Sequence, residues 1–479
     1  MNPLYLALPA FLLVLLLRPQ LKAFIALFLM MQAFDLVPSI VFGFYVWDYG
    51  ASLLLLTGLE VYLFRKPVIA AGRHPYLVVL RIFLAWLALC LVWSLVVYRY
   101  PWMHTLKNAR QVVLGYAMTF IFLRVFTVEP AGFEFFMRWL YRLSFALMPV
   151  VILEYFLKHQ VLFGLFRDYE GDLRAVPTFL PICLFFTYVI LAKFLSAQRL
   201  AFHERVYAVL AVITVALSFT RGIYAGALLT AGLLLLMMAR QKTLRAASVL
   251  AGAAAASILV AVIFAAGIGQ KVLDRASSGL QLIGSSSQGS QHVRDDTYTG
   301  RLGLAAERFS LVMGQNPVLG FGFIHEDDVP PGVRSHLHYG TALSGTAEDP
   351  TFYERSYAFT GNYVLGFYSA DIAWADILIS TGIVGVVLVV GLMVSFLGEG
   401  FASARSVHPS GYAVKTGLFL TLANLMLLTV NSSYFYSSVH VIAFLLAGYA
   451  LTRRVAAGRS PVAAVAAPPA VSFANLLRD

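Results

Sequence analysis

Apolar runs follow one another along most of this chain. A membrane-spanning helix needs about 20 predominantly apolar residues, and on that scale we find thirteen candidate runs. They lie at 3–17, 21–46, 49–64, 77–98, 108–126, 136–156, 176–195, 205–219, 222–239, 246–268, 376–397, 414–430 and 434–452. The runs are too long and too uniformly apolar for the alternating strands of a barrel. We therefore expect an all-α polytopic membrane protein of about 12–13 transmembrane helices, the count depending on whether the short first run spans.

One polar stretch, residues 269–375, interrupts this pattern. It is rich in glycine, and 12 of the 24 acidic residues lie between Asp274 and Asp376. Leu302–Met313 within it has the period of an amphipathic helix, which places Ala305, Phe309 and Val312 on one apolar face. The chain thus divides into N-terminal transmembrane helices at 1–268, a large loop at 269–375, C-terminal transmembrane helices at 376–452 and a disordered Ala/Pro-rich tail at 453–479.

Composition agrees with a membrane protein, since 60% of the residues are hydrophobic and 12% are charged, against about 25% charged residues in soluble domains. The net charge of +11 comes mostly from Lys and Arg in alternate short turns. That is the positive-inside pattern, and it explains the basic charge without nucleic acid. It predicts a multi-pass membrane protein with the long loop outside the cytoplasm and a cytoplasmic C-terminus.

Cysteines and the first apolar run add two expectations. Cys90 and Cys183 lie inside apolar runs, so we expect free thiols and no disulfide framework. No basic segment precedes Leu4–Leu17, and no small-residue cleavage site follows it. We therefore expect a retained helix and not a removed signal peptide.

Arg221 is the first candidate for chemistry, because it lies in a predicted outer turn between two apolar runs. A guanidinium at this depth is costly unless it faces a cavity or an anion, and its planar donors suit a pyrophosphate. The alternative is an arginine that reaches the outer lipid headgroups.

Arg301 precedes the segment Asn316-Pro-Val-Leu-Gly-Phe-Gly322. The proline and two glycines predict a tight turn after a helix. Considered alone, this segment is better explained as an ordinary helix terminator. Gly-Phe-Gly lacks the strand and helix that a nucleotide-binding loop requires.

Asp371 and Asp376 precede the segment Gly382-Ile-Val-Gly385, near the start of an apolar run. One carboxylate is explained by capping of a helix N-terminus. The second leaves room for a general base at an arginine-lined site.

Arg334, His336 and His338 alternate in the long loop. We assign Arg334 and His338, together with Asp376, to substrate binding. Alternating histidines could bind a metal ion with a third converging ligand, but no metal-binding spacing supports this, so we expect surface histidines and no metal site. Asp35 and Glu154 lie in or near spans, where polar contacts between helices explain them better than a proton relay.

Taken in order, the three segments resemble the superfamily of O-antigen ligases and Wzy-type polymerases of bacterial surface polysaccharide synthesis. The shared features are Thr220-Arg221-Gly222 in an outer turn, Arg301 before Asn316–Gly322, and a polar pair before Gly382–Gly385. The resemblance implies a GT-C-like fold and a glycosyltransferase that uses no metal ion or other cofactor. It also implies a donor glycan on undecaprenyl pyrophosphate at the outer leaflet of the bacterial inner membrane, and so a periplasmic position for the long loop.

Residue roles follow from the same resemblance. Arg221 and Arg301 match the arginines that hold the pyrophosphate leaving group, and Asp371 is the candidate base. Ligases of the family carry a His-Asn pair where this chain has Asp371-Ile372, which favours a repeat-unit polymerase of surface or exopolysaccharide. Such an enzyme could act with a chain-length regulator or export proteins.

Three alternatives remain open at this point. An O-antigen ligase would transfer the glycan to a lipid acceptor. A flippase or transporter of lipid-linked oligosaccharide should show repeated helical halves and charged mid-membrane cavities, whereas this sequence shows one dominant loop and no visible repeat. A membrane scaffold or sensor would not require Arg221 and Arg301 to converge.

Overall fold

A computed structural model describes most of the N-terminal half of the chain and parts of the remainder. The described residues are 14, 16–38, 40–41, 44–66, 74–129, 131–159, 161–162, 165–167, 173–195, 198–218, 221–240, 249, 297–337, 366–368, 373–404 and 441–457. Most of the predicted span 246–268, all of 414–430, most of the run 3–17 and the tail after 457 lie outside them.

Helices account for nearly all of the described regular structure. In chain order they are α1 Pro19–Met30, α2 Val46–Phe64, α3 Pro75–Val96, α4 Trp102–Val128, α5 Gly132–Leu157, α6 Leu180–Leu195, α7 Phe202–Leu217, α8 Arg221–Arg240, α9 Thr297–Gln315, α10 Pro331–Arg334, α11 Ala373–Ala404 and α12 Val441–Ala457. Two antiparallel hairpins are short: β1 Ile40–Val41 pairs with β2 Phe44–Tyr45, and β3 Leu165–Arg167 pairs with β4 Leu173–Ala175.

Most predicted apolar runs coincide with one helix, but the run 21–46 does not. Helix α1 ends at Met30, and a 3₁₀ turn at Gln32–Asp35 follows. Gln32, Phe34 and Asp35 all have positive φ there, which stops the helix. The buried Asp35 carboxylate accepts hydrogen bonds from the backbone N–H and the hydroxyl of Thr178, at 2.7 and 3.3 Å, and so stabilises the break.

Membrane-spanning length is met by several of these helices. Among the described residues, Pro75–Val96, Gly132–Leu157 and Trp374–Ser395 are long and apolar enough to cross a bilayer, and α4 adds a fourth span if its two halves, which meet at 45°, count as one. Shorter apolar helices occur at Pro19–Met30, Leu180–Leu195 and Val441–Thr452. The protein is an all-α polytopic membrane protein, as the sequence predicts; the count of 12–13 spans stays a prediction.

Polar contacts gather at two opposite ends of the helices. At one end Lys22 pairs with Glu60, Lys193 pairs with Glu204, and Arg124 donates to the Arg65 carbonyl. The other end carries Asp35 with Thr178, Glu154 with the N–H groups of Val161 and Leu162, and the contacts of the long loop. Asp35 thus contacts the segment before another helix, whereas Glu154 contacts the backbone just after the end of its own helix.

The helix packing brings the long loop onto the N-terminal helices. Helix α1 packs on α2, α12 on α4, and α11 on α3, while α9 from the loop packs on α11. Aromatic rings fill the interior between α4 and α5, where Phe126 and Phe136 meet edge to face at 5.7 Å. The candidate functional site lies where α3, α4, α9 and α11 meet.

Candidate functional site

Helix α9 presents a buried face that contains an arginine. Leu304, Ala305, Arg308 and Val312 are at most 5% exposed, and they recur at the spacing of one helix face. The helix and its apolar face at Ala305 and Val312 were predicted, but Phe309 was placed on that face wrongly, since it is 47% exposed. Arg308 lies on the buried face beside these apolar residues.

Arg308 fixes the segment that leads towards Asp371. Its side chain is fully buried, and its Nε and Nη2 atoms donate to the carbonyls of Phe367 and Gly366, each at 2.9 Å. Its Nη1 atom pairs with Glu307. Burial lowers the pKa of Arg308 from its ordinary value, and the charges of Glu307, Glu326 and Asp376 oppose that shift. The cation is therefore paired with Glu307, and the charges of Glu326 and Asp376 also favour its charged form.

Glu326 binds backbone N–H groups of the same segment. Its carboxylate accepts hydrogen bonds from the backbone N–H groups of Phe367 and Tyr368, each at 2.9 Å. The Tyr368 hydroxyl donates to the Ile324 carbonyl at 2.8 Å. Residues 366–368 are consequently held by charge-assisted bonds from both directions, and such bonds are about twice as strong as neutral ones.

Helix α11 breaks at Gly382, the first glycine of the Gly-Ile-Val-Gly segment. Gly382 has φ +66° and ψ −170°, far from helical values. A break inside an apolar span frees backbone groups that lipid cannot satisfy. Here the Ile379 carbonyl accepts from the Phe321 N–H at 2.7 Å, the Thr381 carbonyl accepts from the Trp86 indole at 3.0 Å, and the Ile383 N–H donates to the Pro317 carbonyl at 2.9 Å.

The turn Asn316–Gly322 and the Gly382 break therefore pack backbone against backbone. Gly320 has φ +66°, and a Cβ on it would lie 2.7 Å from the Leu378 carbonyl oxygen. A Cβ on Gly382 would lie 2.8 Å from the Leu319 nitrogen. Two of the segments that carry the family resemblance thus require glycine for one shared contact.

Side chains of α3 and α4 anchor this turn. The Tyr98 hydroxyl, just beyond the end of α3, donates to the Gly320 carbonyl at 2.9 Å and accepts from the Asn316 amide at 3.0 Å. The Ser94 hydroxyl accepts from the Phe323 N–H at 2.9 Å. Asn108 of α4 donates to the Ile324 carbonyl. The turn after α9 is thus a structural joint between the loop and the helices, which is more than a helix terminator requires.

Two predicted substrate-binding residues are described with their side chains. Asp376 lies in the first turn of α11 and is 2% exposed, and its charge acts on Arg308. Arg334 ends α10, donates to the Glu326 carbonyl and lies 3.8 Å from the Glu326 carboxylate. Both residues therefore take part in the network around Glu326 and Arg308.

The predicted arginines are described by backbone alone. Arg221 begins α8, and Arg301 lies in the second turn of α9. Residue 301 shares a helix face with Arg308, about 10 Å away along the axis. The side chains of Arg221 and Arg301 lie outside the described residues, as do Asp371 and His338, so the convergence of the arginines stays a prediction.

The sequence interpretation missed Arg308, Glu326 and Gly382 as organising residues. Arg308 carried a signal, because it lies four residues from both Leu304 and Val312 and so interrupts an apolar face with a charge. Glu326 carried none, since its partners lie 41 and 42 residues away along the chain. The described contacts hold residues 366–368 beside α9, which carries Arg308, and close to the start of α11, which carries Asp376.

Comparison with known families agrees with these segments. Residues 206–390 match the Wzy_C family model, described as O-antigen ligase. The comparison with curated proteins gave no match. The matched range includes Arg221, α9, the Asn316–Gly322 turn and the Gly382 break. Residues 206–390 therefore match an O-antigen ligase family domain, and this match supports a membrane enzyme of glycan biosynthesis of the ligase or polymerase type.

Proposed function

We propose that this protein polymerises oligosaccharide repeat units carried on undecaprenyl pyrophosphate at the outer face of the inner membrane. The product is a surface polysaccharide or exopolysaccharide. An acceptor hydroxyl forms a bond to the anomeric carbon of the donor glycan, the bond to the pyrophosphate oxygen breaks, and the hydroxyl proton passes to a base. Polyprenyl pyrophosphate leaves as the anion, and the reaction needs no metal ion.

One observation carries the proposal: the Asn316–Gly322 turn, with α9 before it, packs directly on the start of α11. The helix with Arg301 and the helix with Asp376 are therefore neighbours. A pyrophosphate site and an acceptor base need to lie within one substrate length of each other, and this contact supports that arrangement.

The proposed role of each site residue follows from the charge of its side chain. Arg221 and Arg301 are assigned to the pyrophosphate, because preorganised guanidinium groups stabilise the negative charge that develops on the leaving group. Asp371 accepts the acceptor proton. Arg334, His338 and Asp376 position the substrate, while Arg308 and Glu326 hold residues 366–368, just before the base.

The second candidate function is that of an O-antigen ligase, which the description of the matched family favours. Deletion of the gene separates the two. Loss of a polymerase leaves single repeat units attached to lipid. One band of that size on a glycan gel, in place of a ladder, therefore supports polymerisation. Long chains that remain on the carrier lipid would instead identify a ligase.

Variants of the two arginines test the assigned site. Arg221→Ala and Arg301→Ala should each abolish polymer in a complemented deletion strain, with protein still present in the membrane fraction. Arg65→Ala is the matched control, because Arg65 is exposed at the opposite end of the helices. Wild-type chain lengths in either arginine variant would contradict the assignment.

A further inference from the structure

Three potential metal ligands meet where the long loop contacts α4. His104 lies in the first turn of α4, and His325 and Asp327 lie at the 3₁₀ turn Glu326–Asp328. One ligand atom of each lies within 4.8 Å of the other two. The two imidazole rings lie 4.6 Å apart between centroids, with 30° between their planes. His104 precedes His325 and Asp327 by 221 or more positions along the chain, so only the fold brings the three residues together.

We propose that His104, His325 and Asp327 bind one divalent ion of the zinc class. Two imidazoles and one carboxylate form a donor set typical of Zn²⁺, with a fourth position left for water. Small side-chain rotations suffice to close the ligands to bonding distance, because Asp327 is 74% exposed at its side chain and His104 40%.

Asp328 supplies the support that a ligating histidine normally has. Its carboxylate lies 2.9 Å from His104 Nδ1. A carboxylate that accepts the Nδ1 proton leaves Nε2 with a lone pair for a metal ion and fixes the ring orientation. This second contact distinguishes the cluster from histidines that only stack on each other.

Charge balance also suits a divalent ion. Asp327 and Asp328 supply two negative charges beside the imidazoles. Lys107 is the opposing group, with its ammonium 3.5 Å from His325 Nε2. Lys107 is exposed, so its side chain moves into solvent when the ion binds.

The bound ion would join α4 to the turn that holds the loop exit. Glu326, between His325 and Asp327, accepts the Phe367 and Tyr368 N–H groups. Metal binding therefore stabilises the position of Glu326 without taking part in the transfer reaction. The site is structural, and it stands whether the enzyme is a polymerase or a ligase.

The test uses the full chain in detergent, purified on a tag without histidine and stripped with a chelator. Titration with ZnCl₂ against a chromogenic chelator should give one Zn²⁺ per chain. His325→Ala and Asp327→Asn should each abolish that binding, and Asp328→Asn should weaken it about 10–100-fold. His336→Ala is the matched control, since His336 is an exposed histidine of the same loop and should leave Zn²⁺ affinity unchanged.

Hydrogen exchange supplies a readout that does not depend on activity. Zn²⁺ should slow amide exchange in residues 320–334 of the wild type, and it should have no such effect in Asp327→Asn, which replaces one exposed side chain by an isosteric one and so keeps the fold. The proposal would be overturned if Asp327→Asn kept its Zn²⁺ affinity or if His336→Ala lost as much affinity as the ligand variants. It would also be overturned if Zn²⁺ left amide exchange in residues 320–334 unchanged.

Discussion

Arg308 is a buried cation that positions the backbone of residues 366 and 367. It makes two bonds to the carbonyls of residues 366 and 367 and is balanced by Glu307, Glu326 and Asp376. A buried charge of this kind is costly unless every donor is used and carboxylates lie close by. We regard it as a positioning residue that acts through the loop exit.

Arg308→Met should therefore destabilise the protein and reduce product strongly. Breaking a buried pair costs about 3–5 kcal/mol, and we expect the lower part of that range because the Glu307 side chain paired with Arg308 is 12% exposed. Thermal unfolding in detergent and the glycan ladder measure the two effects. Phe309→Ala, one residue away on the exposed face, is the control and should behave as wild type in both assays.

Asp371 and Asp376 should differ in their contributions to catalysis. Asp371→Asn removes the proposed base, so product formation should fall about 10²–10⁴-fold. Asp376→Asn should lose less, because Asp376 is 2% exposed in the first turn of α11 and its charge acts on Arg308. Initial rates with purified lipid-linked substrate compare the two variants. The reverse order would identify Asp376 as the base.

At the scale of elements, the joint between the Asn316–Gly322 turn and the broken helix α11 organises the site. Neither partner is stable in an apolar environment alone, since the break frees carbonyl and N–H groups that the turn and Trp86 satisfy. The two segments therefore fold as one unit.

Gly382→Ala should disrupt this joint. The added Cβ would be strained at φ +66° and would lie 2.8 Å from the Leu319 nitrogen, so the turn must move off α11. We expect a loss of thermal stability, by about 1–3 kcal/mol from backbone strain alone, together with loss of polymer. Gly398→Ala in the same helix is the control, since a Cβ there meets nothing within 4 Å. A Gly382→Ala protein with full activity would argue against a rigid joint.

For the whole molecule, the two polar ends of the helices predict sidedness. Ser335 lies in the long loop and Lys66 just after the end of α2, and both are exposed. A membrane-impermeant maleimide should label Ser335→Cys in intact spheroplasts, and it should label Lys66→Cys only after permeabilisation. Cys90 and Cys183 are buried free thiols, so wild-type protein provides an unlabelled background. Labelling of both variants in intact spheroplasts would contradict the proposed topology.

The sequence by itself determined the membrane class, most described helix positions and the resemblance to the O-antigen ligase family, because apolar length, alternate basic turns and short motifs are local properties of the chain. It also indicated that the long loop carries a helix over 302–313, which the structure extends to Thr297–Gln315. Local patterns could not show that α1 stops at Met30, because a distant threonine stabilises that break.

Only the tertiary structure decided which residues meet. From the sequence, Arg308 is one of several charges in a polar loop, and only the structure shows that the carbonyls of Gly366 and Phe367 are its acceptors. Gly382 lies in an apolar run typical of a helix, and only the structure shows that the Asn316–Gly322 turn packs on it. His104 and His325 come from segments 221 residues apart, and no spacing in the sequence relates them. The physical reason is the same in each case. A buried charge, a broken helix and a metal site are stabilised by partners from other segments, and those partners become adjacent only when the loop packs against the membrane helices.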